Sequence, residues 1–132
     1  AASADTCFRF ASYWIPKLKP SMLVYCEPPP YRFELLKSKR SKMYTMHEPD
    51  LKTDMQAYTM INAWTKNPIN FDLNYAKNSL AIQKLCEDNN CKFYKYVAID
   101  CFTEDSDLGS DYMHPGAKQH FKFADMVLKD IT

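Results

Sequence analysis

Asp111 and His114 stand three residues apart, with Pro115 and Gly116 directly after them and His120 a little farther on. This short stretch holds two of the chain's three histidines and one of its two glycines. A carboxylate so placed can accept a hydrogen bond from one imidazole nitrogen, fix the tautomer and leave the other nitrogen basic. An imidazole held that way can take a proton from a nucleophile and return it to a leaving group. The same spacing also suits a plainer arrangement, a loop with a polar cap and a solvated histidine.

The elements that must position this pair can be read from the pattern around it. Proline is tolerated in the first turn of a helix, where its missing N–H has no partner to lose. The residue before a proline is pushed to extended geometry, so His114 is expected on the loop that leads into a terminal helix, about residues 116–131. Phe121, Ala124, Leu128 and Ile131, with Val127 beside them, form its expected apolar face. At the other end, Ser3 or Asp5 can cap a first helix carrying Cys7, Phe10, Ala11, Trp14, Ile15 and Leu18 on one side, with Pro16 and Pro20 ending it. Ser21 to Cys26 reads as a buried strand, stopped by Pro28-Pro29-Pro30.

Residues 36–50 carry a basic cluster from Lys37 to Lys42 and read as a lid-like excursion, with a solvated loop as the plain alternative. Two helices follow. Residues 51–64 place Leu51, Met55, Tyr58 and Ile61 on one side. Residues 70–87 place Phe71, Tyr75, Ile82, Leu85 and Cys86 toward the core, with Lys77, Asn78 and Lys84 opposite. Cys91 to Ile99 reads as a second strand, and 103–110 as a polar loop. Helices alternating with apolar strands predict a single α/β domain with a parallel sheet over residues 1–132. Two strands make a thin parallel sheet, so further strands are expected upstream.

The block Asp111, His114, Pro115, Gly116 and His120 resembles the last sequence block of the SGNH/GDSL hydrolases. That resemblance implies a three-layer, flavodoxin-like α/β/α fold and a serine esterase or acyl hydrolase, its substrate a small-molecule or carbohydrate ester such as an O-acetyl group. His114 would be the general base and acid and Asp111 its orienter. The family's Gly-Asp-Ser block is absent here, and so is its Gly-x-Asn-Asp block. Ala1 to Thr6 stands as a variant of the second block, and the strand ending at Cys26-Glu27-Pro28 stands where the third would be. The chain then corresponds to the carboxyl-terminal two-thirds of the family domain, with the nucleophilic serine and the first strands expected upstream of residue 1. A complementing amino-terminal fragment or a homo-oligomer would be the partner. The contrasting reading is a non-catalytic α/β binding domain that keeps the fold.

Other candidates have plainer alternatives beside them. Ser3, at a helix N-terminus, could act as a nucleophile or contact substrate; its structural role would be an N-cap. Arg32, with Glu34, could bind a substrate group or form an ion pair. Cys26 ends a strand, an address that suits catalysis in an open α/β sheet and also suits a buried structural thiol. Ser106 and Ser110 suit local turns, and His47 and His120 suit surface or packing positions. Asp111, His114 and His120 could hold a metal, making the chain a metal-assisted hydrolase, but they lack a recognisable ligand spacing, and no metal or cofactor is expected.

Composition narrows the classes further. With eight prolines and two glycines in 132 residues, glycine-rich phosphate loops are absent. A net charge of +1 with interspersed signs gives no footprint for nucleic acid or an acidic membrane surface. No stretch is long and apolar enough to span a bilayer. Five cysteines, an odd number, with no basic-then-apolar leader favour a reducing, cytoplasmic setting. Cys86 and Cys91 are the nearest pair, at a spacing that matches no zinc or redox signature.

Overall fold

A computed structural model of the chain describes residues 3–30, 32–37, 40–45, 55–102, 107–109 and 114–132. They belong to two compact units, Ala1–Leu23 with Pro28–Phe93, and Val24–Glu27 with Tyr94–Thr132. The elements in order are α1 (Ala4–Leu18), β1 (Met22–Glu27), β2 (Arg32–Lys37), β3 (Arg40–Thr45), α2 (Met55–Thr65), α3 (Ile69–Asp88), β4 (Lys92–Val97), α4 (Ala98–Cys101) and α5 (Ala117–Ile131). The chain is mixed α/β, with β1 and β4 pairing in parallel. Among the described residues, no helix is long and apolar enough to cross a membrane.

In the first unit, α1 packs on α3. Ser3 caps α1: its hydroxyl accepts from Thr6 N–H at 3.1 Å and shares a 3.0 Å hydrogen bond with the Thr6 hydroxyl. Pro16 does not end this helix. Only Lys17 and Leu18 follow it, and Lys19 turns the chain at φ 45°, donating its N–H to the Ile15 carbonyl at 2.9 Å. The inward face of α1 runs through Ala4, Cys7, Ala11 and Ile15, while Phe10, Trp14 and Leu18 are exposed. The expected apolar stripe is therefore too wide: its small members face inward and its aromatic members face outward. Lys17 Nζ sits over the exposed Tyr13 ring, 3.2 Å from its centroid.

Asn78 corrects the expected outer face of α3. It is 2% exposed, and its side-chain amide donates to the Asp5 carboxylate at 3.0 Å and to the Asn74 carbonyl at 3.0 Å. Asp5 also accepts from the Asn74 side chain at 3.3 Å. A polar residue faces inward here because α1 brings a carboxylate to meet it, which satisfies the amide that burial would otherwise penalise. Ile82 and Cys86 complete the buried side of α3. On α2, Ile61 is buried while Met55 and Tyr58 are exposed; Leu51 lies outside the described residues.

Residues 32–37 and 40–45 pair as antiparallel strands, over part of the 36–50 stretch where a lid-like excursion was expected; residues 46–50 lie outside the described residues. The register runs from Arg32 opposite Thr45 to Lys37 opposite Arg40. Two residues, Ser38 and Lys39, separate the strands, and neither is the Asn-Gly or Asp-Gly that marks a hairpin in sequence. Arg9 on α1 grips Glu34 on β2 with two parallel hydrogen bonds, 3.0 Å from Nε and 2.7 Å from Nη2. This two-point geometry is the strong form of a guanidinium–carboxylate pair.

The second unit contains the ends of β1 and β4, then α4 and α5. The inward side of α5 is Gln119, Phe123, Val127 and Ile131, every fourth residue, whereas Phe121 and Leu128 are exposed. This is a rotation from the expected face. Phe123 sets it by packing edge-on against Tyr96 at 5.4 Å and tilted against Phe102 at 5.4 Å. At the far end of α5, Tyr96 donates to the Asp130 carboxylate at 2.6 Å.

That hydrogen bond first, then burial, pushes the Tyr96 hydroxyl up to about 12. The folded state holds this proton more tightly than the unfolded chain, whose ordinary value is 10.0. The link between β4 and α5 is thus whole below the ordinary value and is lost as pH rises toward the folded one. Ultraviolet titration of the tyrosines is expected to show one late phenolate. In Asp130→Asn that phenolate should move down toward the ordinary range, and in Tyr96→Phe it should vanish.

Candidate active site

Four residues separate Gly109 from His114, and the backbone closes across them. Leu108 and Pro115 form an antiparallel bridge. Gly109 N–H donates to the His114 carbonyl at 2.7 Å, and Gly116 N–H donates to the Asp107 carbonyl at 2.7 Å. Both glycines of the chain therefore contribute donors to one clamp. His114 is exposed and non-helical, directly ahead of α5, as the Pro115 constraint predicts.

Asp107 organises this corner. Its carboxylate accepts from Gln119 N–H at 2.8 Å, and its backbone carbonyl accepts from the Gln119 side chain at 2.6 Å. The carboxylate thus does for α5 what the N-cap residue, Gly116, has no side chain to do. Gly116 has extended backbone, so no left-handed angle demands glycine. Space does: a Cβ there would lie 2.5 Å from Asp107 Oδ1 and 2.9 Å from its backbone oxygen. The Pro-Gly of the motif has a structural explanation in this clamp.

The remaining sequence candidates fall at separate places. Asp111, Ser106, Ser110 and His47 lie outside the described residues. Ser3 is fully buried as the α1 cap. Arg32 opens β2, with its Nε buried and without a hydrogen bond, while Glu34 is held by Arg9. His120 is exposed and lies 5.2 Å from the Phe102 ring, a packing position. Burial, then the neighbouring Cys101 thiol, pushes the Cys26 thiol up, which leaves it protonated and poorly nucleophilic at neutral pH. Among the described residues, no group of three or more His, Cys, Asp or Glu could hold a metal ion.

Glu27 is the residue that sequence reasoning passed over. It ends β1, and at 1% exposure it is among the most buried side chains described. Neither carboxylate oxygen accepts a hydrogen bond, and among the described residues its ion-pair contact is Lys95 Nζ, 3.5 Å from Oε2. Buried carboxylates are normally satisfied, and an under-satisfied one marks stored strain or a functional role. The carboxyl ends of parallel strands are where open α/β sheets hold ligands. Its position directly before three prolines was the available signal, but a Glu there also fits an exposed strand end.

No protein-family model matches the sequence, and no curated protein or solved structure matches it.

Two predictions test this geometry. Gly116→Ala is expected to cost about 1–3 kcal/mol by overpacking, read from denaturant unfolding. In the Asp107→Ala background the same change should cost much less, because its clashing partner is gone. Glu27→Met, which replaces a buried charge with an apolar side chain of similar length, is expected to raise stability by about 1–4 kcal/mol. An equal loss would make the carboxylate a structural group.

Proposed function

We propose that this chain is the carboxyl-terminal part of an SGNH-type serine esterase domain, three-layer and flavodoxin-like, acting on an ester of a small molecule or carbohydrate. The observation that carries the reading is the placement of His114. It stands exposed and non-helical at a bend, with its backbone anchored at the carbonyl, just before the terminal helix. A general base needs such a mounting: a rigid backbone, with the ring reachable from solvent. In this reading Asp111 orients the imidazole. A serine outside residues 1–132 attacks the acyl carbon, giving its proton to His114. His114 then returns that proton to the departing alcohol. Glu27 ends the strand that, in the family resemblance, stands where the third block would be, and a carboxylate there would accept a hydrogen bond from a hydroxyl-bearing substrate.

Active-site labelling tests the reading. The whole natural protein is treated with a fluorophosphonate and its intact mass measured, and hydrolysis of an activated acetyl ester is followed in parallel. A serine adduct is expected, with His114→Ala lowering kcat/KM by at least about a hundredfold. Labelling absent from the whole protein, or His114→Ala without effect, would replace this reading with a non-catalytic binding domain.

A further inference from the structure

We infer that Cys86 and Cys91 are a paired dithiol that closes into a reversible intramolecular disulfide across the end of α3. This does not rest on the proposed esterase function.

The pairing follows from how the helix stops. Asn90 adopts φ 54°, the left-handed conformation that ends many helices and that asparagine tolerates better than most residues. Cys91 N–H donates back to the Cys86 carbonyl at 2.9 Å, and Asn90 N–H donates to the Glu87 carbonyl at 3.2 Å. This pair of bonds satisfies the last carbonyls and folds the residue after the turn onto the last full turn of helix. The two residues that meet in such a cap usually carry apolar side chains. Here both are cysteines. Their spacing, unremarkable as a zinc or redox motif, is the spacing of the cap itself.

Cys86 is fully buried and Cys91 is 6% exposed. Both are free thiols. Cys91 Sγ lies 3.6 Å from the Lys92 carbonyl. A disulfide needs a short backbone separation, and the cap, with Cys91 N–H on the Cys86 carbonyl at 2.9 Å, supplies it between two buried cysteines. Burial and the partner thiol push Cys86 up to about 12, so in the closed cap it stays protonated at neutral pH and reacts slowly. Reaction therefore begins at Cys91, the more accessible sulfur, when the helix end opens.

The oxidant is a small-molecule disulfide such as oxidised glutathione. Cys91, as thiolate, attacks one glutathione sulfur. The glutathione S–S bond breaks, a mixed disulfide forms, and one glutathione thiolate leaves and takes up a proton. Cys86, as thiolate, then attacks the Cys91 sulfur and displaces the second glutathione, which is also protonated. The protein dithiol loses two hydrogens, and one oxidised glutathione becomes two reduced ones. A thiol reductant reverses both steps.

The wild-type protein suffices for the test. Reduced, folded protein is incubated with oxidised glutathione, quenched in acid, alkylated in denaturant and cut with trypsin. Residues 85–92 lie between Lys84 and the Lys92 cleavage site, so both cysteines fall in one peptide. The expected product is that peptide without alkyl groups and lighter by two hydrogens, returning to the doubly alkylated form after dithiothreitol. In the oxidised protein, amide exchange at Asn89, Asn90 and Cys91 should slow. A doubly alkylated or stably glutathionylated peptide, with Cys7, Cys26 or Cys101 oxidised instead, would overturn the assignment. So would a cross-link that forms only in denaturant, or one that speeds exchange at the cap.

Discussion

The second unit depends on the Asp107–Gly116–Gln119 clamp. One aspartate uses both its backbone and its side chain to hold the start of α5. Its carbonyl fixes Gly116 and the Gln119 amide, and its carboxylate takes a helix N–H that lacks a partner in the helix itself. Because Gly116 carries no side chain to crowd Asp107, the bridge between Leu108 and Pro115 can close, and the His114 carbonyl is held by Gly109 N–H. Any chemistry assigned to His114 inherits its geometry from this clamp. The position of the helix start, and so of the ring face that Phe123 presents to Tyr96 and Phe102, follows from it as well.

Buried polar contacts do much of the organising elsewhere. Asp5 meets Asn74 and Asn78 between α1 and α3, and Arg9 grips Glu34 between α1 and β2. Such contacts add modest net stability but strong specificity, because a misplaced partner leaves a buried group unsatisfied. Glu27 stands apart from this pattern. It is as deeply buried as the core residues, and among the described residues its ion-pair contact is the longer one to the partly exposed Lys95.

The two helix ends that matter here are solved by different means. The start of α5 borrows a carboxylate from ten residues upstream, Asp107 for Ala117 onward. The end of α3 closes on its own backbone with a left-handed asparagine, and that closure ties the Cys91 backbone to that of Cys86. In both cases local backbone bookkeeping places side chains whose chemistry has nothing to do with helix termination.

Strong local rules made several features legible in the sequence. The Ser3 cap, the strand running into three prolines, the strand after Cys91 and the terminal helix behind Pro115 all rest on backbone constraints that act within a few residues. The same is true of the non-helical position of His114. Orientation was different. Which stripe of α1 and α5 faces inward, why Asn78 is buried, and why residues 32–45 pair as two strands depend on partners distant in sequence: α3, Phe102, Asp5 and a facing strand. Periodicity reports that a helix is amphipathic but leaves its rotation open when apolar residues cover more than one face, as Phe10 and Trp14 do on α1 and Phe121 and Leu128 do on α5. Motif spacing likewise placed His114 but could not reveal that Gly116 answers to Asp107, or that Glu27 is buried. Those are facts of packing, which only the tertiary structure decides.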